Sequence, residues 1–239
     1  MKKRMFVSIL GICFIMSMVS AQLPVLTKEE VKQGWVLLFD GQSSKGWERS
    51  NGNAFPSTGW VINNGVLTVI PSKDSHGEGD IVTLDDYSDF ELMVDFKVTV
   101  GANSGIKYFF SKYEKGGLLG LEYQILDDAV NPDAKLGVNG NRVCGSLYDM
   151  IPPSANRKVK PVGEWNTARI ISKGKHVEHW LNGVKIVEYD RGSEAYLKAL
   201  QQSKFKDAVP SFGSAVKGRI LLQDHGSEVS FRNIKIKKL

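Results

Sequence analysis

The chain has 239 residues, 42% of them hydrophobic, and carries 31 Lys and Arg against 26 Asp and Glu for a net charge of +5. A chain of that length can bury a sizeable core. Its basic residues form no stripe interleaved with aromatics, which argues against nucleic acid as a partner.

Residues 1–21 have the pattern of a signal peptide: Lys2, Lys3 and Arg4, then the acid-free apolar run Met5–Val19, then Val19-Ser20-Ala21 as a cleavage point near Ala21. A lipid anchor on Cys13 would call for a small residue before it, and Ile12 is not one. No second long apolar run exists, so no transmembrane segment is expected in the mature chain. Processing removes three positive charges and leaves +2, so part of the basic balance belongs to the leader. It also leaves a single cysteine, Cys144, and therefore no internal disulfide. The combination predicts an exported bacterial protein, periplasmic or secreted, with residues 22–239 as one domain.

In that domain Thr27–Val31 suggests one helical turn, with Thr27 as cap and Glu30 three residues later. Trp35–Phe39 is an apolar run closed by Asp40-Gly41. Trp60–Ile62 and Val66–Ile70 flank Asn63-Asn64-Gly65, a hairpin signal. Lys73–Asp80 is a polar loop and Ile81–Thr83 a short extended piece. Phe90–Val100 alternates: Phe90, Leu92, Val94, Phe96 and Val98 face one way, Glu91 and Asp95 the other. Gly101–Ser104 reads as a turn and Ile106–Ser111 as the returning strand. Leu119–Leu126 follows, then the Asn- and Asp-rich loop 127–141 and the proline-bearing connection Ile151–Gly163. Trp165–Ser172, Val177–Leu181 and Val184–Tyr189 form a meander turned at Asn182-Gly183. Gly192–Phe205 is the one convincing helix, capped by Ser193. Arg219–Gln223 and Val229–Ile236 close the chain. Without βαβ alternation, the pattern predicts an all-β fold: an antiparallel β-sandwich or jelly roll with one short helix near the C-terminus.

The stretch Gly120–Asp128 is the most informative. It alternates like a strand, yet Glu122 and Gln124 share one face while Leu121, Tyr123 and Ile125 share the other. That suits the floor of a polar groove, although most alternating strands are merely half-solvated. No zinc-finger spacing, phosphate-cradling loop or Gly-x-Ser-x-Gly turn appears. Cys144, a lone cysteine, reads as a small buried hydrophobe. Asp95, Lys107, Arg142, His179, Gln223 and His225 remain as polar candidates on strand faces and loops. Each alone is more readily a solvated or satisfied residue, His225 least so, because Asp224-His225-Gly226 places an imidazole at a tight turn.

Several short motifs occur in order: Leu38-Phe39-Asp40-Gly41 with Gly46-Trp47, Asn103-Ser104-Gly105-Ile106, Glu122-Tyr123-Gln124-Ile125-Leu126-Asp127, Glu164-Trp165-Asn166, His179-Trp180-Leu181-Asn182-Gly183, Leu222-Gln223-Asp224-His225-Gly226 and Phe231-Arg232-Asn233-Ile234. Together they resemble the 3-keto-disaccharide hydrolase-like domain family, over about Gly34 to Leu239. The resemblance implies a fold similar to concanavalin A-like lectins and glucanases, with a concave sheet as a carbohydrate-binding groove. Those glucanases carry Glu-x-Asp-x-Glu on one strand. Here Glu122 is followed two residues later by Gln124, which argues against a carboxylate nucleophile.

The resemblance implies instead the cleavage of 3-keto-glycosides, by base-assisted elimination and hydration. Glu122 and His225 would be base and acid, in either order. Lys107, or a divalent metal held by Glu122 and His225, would polarise the ketone. Asp95, Gln124, Asp127, His179, Gln223 and, more remotely, Arg142 would orient hydroxyls. The alternatives are a non-catalytic, lectin-like carbohydrate-binding module and a scaffold whose groove is vestigial.

Overall fold

The computed structural model describes residues 23–72, 79–208 and 211–239. The expected signal peptide at 1–21 and most of the polar loop 73–80 lie outside them. Thirteen strands lie among the described residues: β1 (Trp35–Leu37), β2 (Trp47–Arg49), β3 (Trp60–Asn63), β4 (Val66–Val69), β5 (Ile81–Thr83), β6 (Phe90–Val98), β7 (Asn103–Tyr113), β8 (Gly117–Leu126), β9 (Asn166–Lys173), β10 (His176–Leu181), β11 (Val184–Asp190), β12 (Arg219–Leu222) and β13 (Val229–Lys238). They form an eight-stranded sheet in the order β11-β10-β9-β6-β13-β4-β3, with β1 also on β13, and a five-stranded sheet in the order β2-β5-β12-β7-β8. The described strand pairs are antiparallel. The expected β-sandwich of jelly-roll type is what the chain forms.

The alternation read in the sequence sets the inner faces. Leu92, Val94 and Phe96 of β6 pack toward Ile106 and Tyr108 of β7, Leu121, Tyr123 and Ile125 of β8, and Ile220 and Leu222 of β12, all buried in one core. Each such side chain contributes about 2 kcal/mol by leaving water. Asn64 (φ 50°) with Gly65 (φ 79°), and Asn182 (φ 49°) with Gly183 (φ 81°), supply the left-handed pairs that tight hairpins need.

The ends of elements differ from expectation. A short helix α1 (Lys28–Lys32) carries the full Thr27/Glu30 capping box, so the late helix is not the only one. The late helix α2 (Glu194–Gln201) starts after Ser193 as expected but stops four residues early. The long strand ends at Val98, because Thr99–Ala102 closes a turn with the Ala102 N–H on the Thr99 carbonyl. Its neighbour β7 already begins at Asn103, within the stretch expected to be turn. Asn103-Ser104-Gly105 has turn-like composition, but pairing with Leu126, Ile125 and Gln124 of β8 holds it extended.

Candidate active site

The outward faces of β7 and β8, with Gln223 just past β12, form the floor of a cavity of about 580 Å³. Register places Lys107 opposite Glu122 and Gly105 opposite Gln124. On the other side of β7, the Gln223 N–H donates to the Gly105 carbonyl at 3.0 Å. Gly105 leaves the middle of this floor bare, and Glu122 leans over it. A Cβ at position 105 would lie 2.6 Å from Glu122 Oε1. The roof and rim come from loops: Asn131, Pro132 and Asp133, then Tyr148, then Lys204 and Phe205, with His225 and Ser227 beyond β12.

Charge is concentrated at one end. The Lys107 ammonium is 3.9 Å from Glu122 Oε2. Burial raises the Glu122 carboxyl above its ordinary value, against the attraction of Lys107 and Lys204. Asp80, just before β5, is also raised by burial and is held by the charges of Lys107 and His225 and by a hydrogen bond from the Asp224 N–H at 2.9 Å. Burial lowers the Lys204 ammonium, which lies 4.3 Å from the Tyr148 ring centre. Arg142 braces the rim, donating from Nε to Asp149 at 2.5 Å and from a terminal nitrogen to Asp133 at 2.8 Å. A basic carboxylate beside ammonium groups, partly shielded from water, can take a proton while the neighbouring cations stabilise the resulting anion.

Glu122 and His225 line the same pocket, but among the described residues no third His, Cys, Asp or Glu joins them in a tight ligand group. The group that does form, His176, Glu178 and Glu188, lies on β10 and β11 of the other sheet. There the Lys185 ammonium sits 2.7 Å from Glu188 and 3.2 Å from Glu178.

Residues 34–237 match a family model described as the 3-keto-alpha-glucoside-1,2-lyase-like domain. The chain belongs to this family. A Bacteroides thetaiotaomicron protein named 3-keto-disaccharide hydrolase is 37% identical, with 92% of this chain and 82% of the relative covered. A crystal structure from Parabacteroides distasonis, of a protein named as a candidate glycosyl hydrolase, is 35% identical with a TM-score of 0.79, covering 91% of this chain and all of the other. The exoplasmic domain of VIP36, solved with Ca2+ and Man3GlcNAc, shares the fold alone, at 11% identity and a TM-score of 0.51 over 87% of this chain and 89% of that one.

In this 3-keto-alpha-glucoside-1,2-lyase-like domain the fold brings Glu122, Gln124, Lys107, Gln223 and His225 together. Four expected site residues do not line the pocket, and their assignment is corrected. His179 is fully buried between the sheets, with Nε2 2.8 Å from the Tyr108 hydroxyl and Nδ1 3.1 Å from the Gly145 carbonyl. Asp95 faces outward from the opposite sheet and accepts from Thr167 Oγ1 at 2.7 Å and Asn233 Nδ2 at 2.8 Å. Asp127 braces a turn, accepting from the Gly101 and Ala129 N–H groups. Arg142 stands behind the rim and acts on the pocket through Asp133.

Asp80, Asn103, Asp133, Tyr148 and Lys204 were not singled out by sequence reasoning. Asn103 had a signal, since its motif belonged to the family pattern. Asp80, Asp133 and Lys204 sit in loop or helix-end segments where polar residues are ordinary. Tyr148 reaches the site because its N–H pairs with the Glu122 carbonyl, a contact across 26 residues.

Proposed function

We propose that this pocket cleaves the glycosidic bond of sugars oxidised at C3, by elimination followed by addition of water. The observation that carries the reading is the buried Glu122 carboxylate with the Lys107 ammonium 3.9 Å away on the floor of a 580 Å³ pocket, a size suited to small ligands. Family membership and the relative named 3-keto-disaccharide hydrolase support it.

A ketone at C3 acidifies the proton on C2. Glu122, made more basic by burial, takes that proton. The electron pair spreads onto the C3 oxygen, where Lys107 stabilises the charge. As the pair returns, C1 and C2 become doubly bonded and the C1–O bond breaks, with His225 protonating the leaving oxygen. Water then adds at C1, giving the proton it loses to His225, and Glu122 returns its proton to C2. The sum consumes one water and oxidises nothing. No carboxylate nucleophile takes part, in keeping with Gln124 on the floor. The leader-like composition of residues 1–21 supports placing this reaction outside the cytoplasm, in the periplasm or medium.

The test is turnover of a 3-keto-disaccharide against its unoxidised parent, with and without chelator. Cleavage of the oxidised sugar alone, with C2 deuterium slowing the reaction, is expected. Equal cleavage of both sugars would sink the elimination chemistry. Binding without cleavage would turn the reading to a lectin-like module. Loss of activity with chelator would assign the ketone to a metal rather than to Lys107.

A further inference from the structure

Five buried side-chain polar atoms find no hydrogen-bond partner among the described residues, and two of them, Asn103 Oδ1 and Gln223 Oε1, belong to residues that line the pocket. The backbone of Gln223 is held twice to β7, by its N–H on the Gly105 carbonyl and by Ser104 Oγ donating to its carbonyl at 2.7 Å. Its side-chain oxygen is nonetheless left unanswered. A buried acceptor without a donor carries an uncompensated desolvation cost. Asn103 shares the outward face of β7 with Gly105 and Lys107, two and four residues on. At about 3.3 Å per residue, Asn103 and Lys107 are separated by about 13 Å, more than one sugar ring.

We propose that Asn103 and Gln223 form a subsite for the unoxidised sugar of the substrate, their amide oxygens accepting hydrogen bonds from its hydroxyls. This rests on the 3-keto-glycoside reading, and it divides the floor in two. The charged end around Lys107 and Glu122 takes the oxidised ring. Asn103 at the far end, with Gln223 beside Gly105 between the two, takes its neighbour. The terminal amide torsions of Asn and Gln have broad minima, so either oxygen turns toward a hydroxyl at little cost. Two neutral acceptors select sugar hydroxyls over an aryl group, which offers no donors.

The experiment uses the near-isosteric variants Asn103→Leu and Gln223→Met, with 3-keto-trehalose and the 3-keto derivative of 4-nitrophenyl α-glucoside as probes. KM for the disaccharide should rise about tenfold relative to KM for the aryl glycoside in each variant, the size of one good hydrogen bond. The melting temperature should change by less than about 3 °C, because neither oxygen has a partner to lose. Equal effects on both substrates, no effect on either, or a large loss of stability would each overturn the subsite. If the wild type turns over neither probe, the cleavage reading fails separately. Binding of unoxidised trehalose by calorimetry then judges the subsite: weaker binding in the variants supports it, and unchanged binding refutes it.

Discussion

Lys107 and Glu122 stand opposite each other on β7 and β8, the ammonium 3.9 Å from a carboxylate that is 7% exposed. Their adjacency follows from strand register, not from any loop, so it is fixed by the same hydrogen bonds that hold the sheet. Glu122→Gln keeps the shape and removes the base. Turnover of a 3-keto-disaccharide should fall by about 10³. Because burial raises the Glu122 carboxyl above 4.5, the acidic limb of kcat/KM should lie above that value and vanish in the variant's residual rate. A wild-type limb at or below 4.5 would remove Glu122 from the role.

Gly105→Ala separates stability from activity. The backbone at 105 is an ordinary extended one, so alanine should stabilise the fold by about 0.5 kcal/mol. The new Cβ would meet Glu122 Oε1 at 2.6 Å and push the carboxylate aside. Activity should drop by tenfold or more while the denaturation midpoint holds or rises. Undiminished turnover would show that Glu122 tolerates displacement.

Arg142→Leu should cost about 3 kcal/mol, because it removes the guanidinium from buried Asp149 and leaves that charge on the Lys204 N–H. Urea denaturation would measure it. The double variant Arg142→Leu, Asp149→Asn should recover part of the loss, since the uncompensated charge is gone. Strict additivity would mean the pair is not coupled.

His179 makes stability depend on pH. Burial lowers its imidazole from 6.5 to about 4, so the folded protein holds it neutral while the unfolded chain protonates it near 6.5. The contribution, about 3 kcal/mol, is fully present above pH 6.5 and is lost as pH falls toward 4. Denaturant midpoints taken between pH 7 and pH 4 would follow this loss. An imidazole titrating near 6.5 in the folded protein, by NMR, would refute it.

Cys144 is buried and its thiol is pushed up to about 12, so it should resist alkylation in the native protein and react after denaturation. Rapid labelling of the folded chain, with loss of turnover, would reopen cysteine chemistry.

The fold was legible because inner faces announce themselves: Phe90 to Phe96 and Leu121 to Ile125 put an apolar residue at every inward position, Met93 alone being apolar on the outward one. The floor of the site was legible for the same reason, since Glu122 and Gln124 break the apolar rule on one parity only. Parity alone did not say which outer face matters, and Asp95 fell on the wrong sheet. Nor could it show that His179 belongs to the core, where two partners satisfy an imidazole as an apolar neighbourhood could not. The rim was illegible because Asp133, Tyr148 and Lys204 converge from separate loops, and only tertiary packing brings them together.

The bare centre of β7 also bears on how such a pocket can change over time. A floor built on strand register and an absent side chain has almost no room for gradual adjustment, because the smallest possible step at Gly105 disturbs Glu122. Part of the roof has that room: Lys204 and Phe205 stand past the end of α2, outside both sheets, whereas Tyr148 is tied by its N–H to the Glu122 carbonyl. Diversification toward new sugars should therefore be written in the roof, while the chemistry below is inherited intact.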